Sequence, residues 1–157
     1  MVIADQSIEE IYQVLDTVKD PEVPVLSLIE LGVIRDVHFN GEIPVVVMTP
    51  TYSGCPALKV METDIRSALK QIGYDHIEIK QILSPAWTTD WLSEESKAKL
   101  NNYGIAPPCM RSVPEIIKCP LCHSSHTKRQ SEFGATACKA LYVCQECKEP
   151  FEYFKAI

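Results

Sequence analysis

Four of the seven cysteines in this 157-residue chain fall in two C-x-x-C pairs, Cys119-Pro120-Leu121-Cys122 and Cys144-Gln145-Glu146-Cys147, with 21 residues between them. Each pair forms a tight knuckle that presents two thiolates to one ion, and two knuckles complete a tetrahedral shell with metal–sulfur distances near 2.3 Å. The gap is one residue longer than the usual spacing of about 15–20, which a hairpin loop absorbs. Four thiolates leave no open coordination position, so the expected ion is a structural Zn2+, and a tail of about 40 residues needs such a staple to fold. A rubredoxin-like iron site would use the same ligands. Cys119 to His123 also spells the C-x-x-C-H haem-attachment pattern, but that reading leaves Cys144 and Cys147 unexplained. A thioredoxin-like redox pair lacks the βαβ context it would need here. His123 and His126 read as exposed loop residues.

Charge decides what such a ribbon touches. Residues 111–157 hold seven Lys or Arg against five Asp or Glu, and four thiolates on a divalent ion add about −2. The whole chain has 15 basic and 21 acidic residues, a net charge of −6, which argues against binding nucleic acid through its phosphates. The expected partners are proteins, with Phe151, Tyr153 and Phe154 set among acidic neighbours.

A fifth cysteine, Cys55, precedes Pro56 at the start of the strongest helical pattern in the chain. Proline favours the first helical position, which places the thiol at or near the N-cap, where free backbone N–H groups and the helix dipole favour a thiolate. Gly54 allows a tight turn there. The geometry suits a nucleophile or a soft-metal ligand, and it equally suits a small half-buried capping residue. Asp20 and Glu22 flank Pro21 in a loop, where they either supply carboxylates near Cys55 or form a solvated turn. His38 and His76 fall on expected strands as surface positions, and no Ser-His-Asp or Cys-His-Asn order is present. The residues alone do not indicate an enzyme.

The elements that carry these groups follow from periodicity. Ser7 with Glu10 forms a capping-box pattern, and Ile8, Ile11, Tyr12, Leu15 and Val18 recur at helical spacing. Asp20-Pro21-Glu22-Val23-Pro24 stops that helix, and 25–31 suits a short helical turn ended by Gly32. Residues 33–39 read as a strand, Asn40-Gly41 as a hairpin turn, and 43–49 as a strand buried on both faces. After the turn-rich 50–56, Leu58, Met61, Ile65, Leu69 and Ile72 mark a helix that Gly73 ends. Residues 75–83 form a third strand. The result is an α+β fold, a small three-stranded sheet with two packing helices in the order helix-strand-strand-helix-strand, followed by a C-terminal zinc ribbon. The expected domains are 1–85 for the α+β part, 86–112 for a connector with a short helix from Ser93, and 113–157 for the ribbon. Trp87 and Trp91 are packing residues tying the connector down. Hydrophobic residues at 46% and charged residues at 23% exclude disordered and fibrous classes. No apolar run approaches the ~18–20 residues of a membrane span, and the acidic N-terminus is no secretory signal. A cytoplasmic protein with reduced thiols is expected, without a membrane partner.

Asp20-Pro21-Glu22-Val23-Pro24, Met48-Thr49-Pro50-Thr51 and Ser53-Gly54-Cys55-Pro56-Ala57 resemble the SufT-like iron–sulfur assembly family over about residues 5–85. Tyr103-Gly104-Ile105-Ala106-Pro107-Pro108, the stretch from Ser131 to Tyr142, and the stretch from Glu149 to Lys155 look like the PaaD family of bacterial phenylacetate degradation. The resemblance implies a non-catalytic accessory subunit of the phenylacetyl-CoA epoxidase system. Its role would be to assemble or repair a metal centre, the iron–sulfur cluster of the reductase component foremost, with reductase or oxygenase components as protein clients. In that family Cys55 matches the characteristic thiol, which would hold iron or a cluster transiently. Asp20, Glu22 and Thr51 match its neighbouring motif positions, and Cys119, Cys122, Cys144 and Cys147 match the zinc ligands. Cys138 and Cys109 have no assigned role. Two other readings stand beside this one: a scaffold that bridges epoxidase subunits without metal transfer, and an enzyme acting covalently through Cys55. Because one thiol cannot hold a cluster alone, a homodimer sharing two Cys55 residues, or a client supplying ligands, would complete the shell.

Overall fold

A computed structural model describes residues 2–51, 55–108 and 116–156. The chain divides into two compact units, 1–87 and 88–157.

The first unit contains helix α1 (Val2–Leu15), strands β1 (Ile34–Asn40) and β2 (Ile43–Met48), helix α2 (Leu58–Gln71) and strand β3 (Glu78–Gln81). This is the expected order, in a sheet ordered β1-β2-β3. β1 and β2 run antiparallel from Asn40↔Ile43, across a turn in which Gly41 takes φ +66°, a conformation that costs glycine little. β2 and β3 are parallel, from Val45↔Glu78 to Met48↔Gln81, so α2 is the crossover of a βαβ unit. β2 is central, and its residues 44–48 are buried. Successive side chains point to opposite faces, so both faces of this strand are covered, as its near-continuous apolar run requires. α2 buries Met61, Ile65 and Leu69, spaced four apart on one stripe, and ends before Gly73. α1 buries Ile11 and Leu15 and packs on α2 and β1.

One local expectation is corrected. α1 begins at Val2, not at Ser7, because residues 2–6 hold no glycine or proline and extending a helix costs far less than nucleating one. Within 21–33 the expected short helical turn is a single one, in which the Leu31 N–H donates to the Ser27 carbonyl at 2.9 Å and Gly32 ends the turn at φ +81°. Lys19 bridges Ser27, and the Ser27 hydroxyl donates to Asp16 Oδ1 at 2.6 Å while accepting the Glu30 N–H at 3.0 Å. With the Ser27 N–H donating to Glu30 Oε2 at 3.0 Å, Ser27 and Glu30 form the reciprocal capping box of that turn. Trp87 is 3% exposed and its indole N–H donates to the Leu31 carbonyl at 2.9 Å, the packing role expected of it.

The second unit opens with a 3-10 turn (Thr89–Trp91) and helix α3 (Glu94–Tyr103). The Ser93 hydroxyl caps α3 by accepting the Ser96 N–H at 3.1 Å, and Gly104 ends it at φ +98°. Strands β4 (Ile105–Ala106), β5 (Thr127–Ser131), β6 (Lys139–Cys144) and β7 (Pro150–Phe154) form a sheet ordered β4-β7-β6-β5. β4 pairs in parallel with β7, so the helix-bearing stretch read as a connector contributes a strand to the ribbon's sheet. Ala106, Ile117, Cys119, Ala140, Cys144, Phe151 and Tyr153 form one buried cluster of this unit, a unit in which Leu92, Leu100 and Phe154 are buried as well. No helix among the described residues is long and apolar enough to cross a membrane.

Candidate functional site: a four-cysteine metal centre and a buried thiol

The two knuckles of the ribbon are built alike. In the first, the His123 N–H donates to the Cys119 carbonyl at 2.9 Å and the Cys119 N–H to the Ser124 carbonyl at 2.9 Å. In the second, Cys144 closes β6 and its N–H donates to the Glu149 carbonyl at 3.0 Å. The residue after each second cysteine, His123 and Lys148, lies at φ +63° and +66°. These are the two positive-φ non-glycine residues among those described, and the strain sits where each knuckle turns its sulfurs inward. The Gln145 N–H donates to the His126 carbonyl at 2.8 Å, binding one knuckle to the other.

The sulfurs of Cys119, Cys122, Cys144 and Cys147 all lie within 4.8 Å of one another. Cys119 and Cys147 are 3.8 Å apart, and Cys122 and Cys144 3.5 Å. A tetrahedron with metal–sulfur bonds of 2.3 Å has edges of about 3.8 Å, so the donor set fits a tetrahedral thiophilic ion. Its electrostatics agree. The Cys147 N–H, joined by that of Glu146, holds the Cys144 thiol down to about 7 against the opposing effect of burial. The Glu149 N–H acts to lower Cys147, but burial and the crowding of Cys144, Cys119 and Cys122 push that thiol up to about 12. Four adjacent thiols do not all ionise without a cation among them.

His126 pairs with Glu146 (Nδ1–Oε1 2.7 Å) at the surface, and His123 is exposed; neither joins the sulfur cluster. Of the remaining histidines, His38 is half-buried beside Asp36 at 2.8 Å and His76 is exposed. Cys138 is buried with its sulfur 3.1 Å from the Thr136 hydroxyl, outside the four-sulfur group. Cys109 and Tyr52-Ser53-Gly54 lie outside the described residues.

In the first unit Cys55 is a free cysteine, 6% exposed. The N-cap of α2 is Ala57, so the thiol sits two residues upstream of it and Pro56 is not the first helical residue. The Cys55 carbonyl takes the Leu58 N–H at 3.2 Å, carrying the turn back toward the cysteine. Asp20 is no solvated turn residue: it is 3% exposed. Its Oδ1 accepts the Glu22 N–H at 2.8 Å and the Val23 N–H at 2.7 Å, which folds the Pro21 loop around it. Glu22 and Thr51 are half-buried.

Backbone bonds gather these segments. Leu28 N–H donates to Val18 carbonyl (2.9 Å), Val33 N–H to Leu28 carbonyl (3.1 Å) and Thr49 N–H to Val33 carbonyl (2.8 Å). The segment before Asp20, the start of β1 and the end of β2 are thus laced together, and Cys55 closes the connection that leaves β2. Two features were not legible in the residue types. The Thr49 hydroxyl is buried without a hydrogen-bond partner, and Lys139 is buried beside Glu152 at 3.7 Å.

Two family models match the two parts. Residues 8–79 match the model described as an iron–sulfur cluster assembly protein, and residues 109–155 the model described as a PaaD zinc beta ribbon domain. The first part is also similar to an Fe-S protein maturation auxiliary factor of Porphyromonas gingivalis, 34% identical over 60% of this chain and 91% of that one. A Bacillus anthracis crystal structure described as a domain of unknown function, DUF59, superposes with a TM-score of 0.58 at 25% identity, over 63% of this chain and 95% of that one. These define the class: an iron–sulfur-assembly α+β domain carrying a zinc-ribbon tail. Over 99% of its length the chain is 46% identical to a putative 1,2-phenylacetyl-CoA epoxidase component of Escherichia coli K12, covering 96% of that protein. The chain belongs to the PaaD family.

Proposed function

We propose that this protein is a non-catalytic accessory factor of a phenylacetyl-CoA epoxidase system. In this reading it works in the cytoplasm to assemble or repair the iron–sulfur cluster of the reductase component. The observation that carries the reading is that one chain joins both parts: the assembly-type domain over 8–79 and the PaaD ribbon over 109–155, in the arrangement of the full-length relative named as part of the epoxidase. Cys55 is the thiol for iron or a cluster, taken as cargo. Its 6% exposure shields the sulfur from bulk solvent, and a second ligand comes from a client protein or a second copy of the chain. Asp20 shapes the neighbouring loop, with Glu22 and Thr51 beside the same motif.

The ribbon sulfurs of Cys119, Cys122, Cys144 and Cys147 hold Zn2+. A closed four-thiolate shell supplies no reaction step and stabilises the fold that clients dock on. The test is elemental analysis of anaerobically purified protein, wild type beside Cys55→Ser, after exposure to iron and sulfide. One zinc per chain in both, with added iron in wild type alone and restored clusters in the reductase, is the expected outcome. Equal support of reductase occupancy and epoxidase activity by Cys55→Ser would remove the carrier reading and leave a scaffold.

A further inference from the structure

Thr49 is 1% exposed, and its Oγ1 is the one buried side-chain polar atom without a hydrogen-bond partner among the described residues. Such an orphan lowers stability, and valine would fill the same space without it. The position is not arbitrary. Thr49 is the first residue past β2, at the carboxyl end of the parallel pair that α2 crosses, where α/β units collect their ligands. Its N–H is fixed on the Val33 carbonyl at 2.8 Å, so the side chain springs from pinned main chain. Cys55 lies at the other end of the same β2–α2 connection, itself buried and free.

We propose that Thr49 is a positioning residue for the cargo site, its hydroxyl donating a hydrogen bond to a sulfur anion there, either the iron-bound Cys55 thiolate or a sulfide of a cluster. This rests on the reading of Cys55 as the cargo thiol. Sulfur carrying negative charge accepts hydrogen bonds, and such donors tune iron–sulfur electronics. The hydroxyl is held without a partner in the free protein and acquires one on loading.

The experiment uses the full zinc-containing chain under anaerobic conditions, as wild type, Thr49→Val, Thr49→Ser and Cys55→Ser. Each is loaded with Fe2+ alone and with Fe2+ plus sulfide. Zinc content and the thermal midpoint of the unloaded protein report folding, while chelator competition and the sulfur-to-iron charge-transfer absorption report the site. Thr49→Val should melt no lower than wild type, hold iron about tenfold or more weakly, as loss of a hydrogen bond to a charged group implies, and shift the absorption. Thr49→Ser should restore both. A shift with Fe2+ alone identifies the Cys55 thiolate as acceptor, and a shift only with sulfide identifies the cluster. If Thr49→Val binds iron as tightly as wild type with an unchanged spectrum while Cys55→Ser does not bind, the hydroxyl is merely tolerated and the Cys55 reading survives alone. If wild type binds no iron, the Cys55 reading falls and Thr49 with it. Should Thr49→Val lose zinc or fail to fold, Thr49→Ala replaces it under the same criteria.

Discussion

Asp20 shows how one carboxylate can serve a loop before it serves any cargo. Its Oδ1 takes two backbone N–H groups, from Glu22 at 2.8 Å and Val23 at 2.7 Å, at a position 3% exposed to solvent. Asp20→Ala removes the oxygen that takes both N–H groups and leaves the buried Val23 N–H without that partner, so a loss of about 1–3 kcal/mol is expected. Asp20→Asn keeps an acceptor oxygen and should cost less. Denaturant midpoints of the two variants check this. If Asp20→Ala is as stable as wild type, the structural role of the carboxylate is refuted. Residue type alone left Asp20 between a functional carboxylate and a solvated turn, because acceptance of two nearby N–H groups depends on how the Pro21 loop closes.

At the scale of elements, α3 was legible because both its signals are local. Ser93 caps through the Ser96 N–H at 3.1 Å, and Gly104 ends the helix at φ +98° with nothing within 4 Å of an added Cβ. Ser93→Ala should therefore cost about 1 kcal/mol through the lost cap. Gly104→Ala should cost about 1 kcal/mol through backbone conformation alone, since space is not the obstacle. The sites lie at opposite ends of the helix, so the double variant should show nearly the sum. A Gly104→Ala variant with an unchanged unfolding midpoint would refute the conformational argument. β1, β2 and α2 were legible for the same reason, their period and turn residues being carried within each segment. β4 was not: Ile105-Ala106 is two residues long and becomes a strand only by pairing with Glu152 and Tyr153 of β7. The start of α1 was also misplaced, since a local capping pattern at Ser7 does not compete with an unbroken helical stretch upstream.

For the molecule as a whole, the two units do not rest on the same source of stability. The first carries a conventional apolar core, with Ile11, Leu15, Leu26, Leu28, Val45, Met48, Ile65 and Leu69 fully buried. In the second, β5 has no buried residue, and two of the seven residues in one buried cluster are Cys119 and Cys144 of the four-sulfur group. The four-sulfur group is therefore part of that cluster, and the cysteine spacing pointed to the grouping because ligand chemistry constrains spacing more tightly than apolar packing does. In zinc-finger peptides the metal contributes on the order of 10 kcal/mol to folding at neutral pH, more than a core of this size supplies. Stripping the ion with a strong chelator, or replacing Cys119 with serine, should abolish the folding transition of 88–157 and leave α1 and α2 intact. Far-UV circular dichroism would retain most helical signal, while amide exchange in β6 and β7 would rise to the unprotected rate and re-added zinc would reverse it after chelation. Loss of both units in one cooperative step would show that the first depends on the second. Retained protection in β6 and β7 without metal would show that the sheet stands on its apolar contacts alone, and the four cysteines would then be free to serve as a second cargo site.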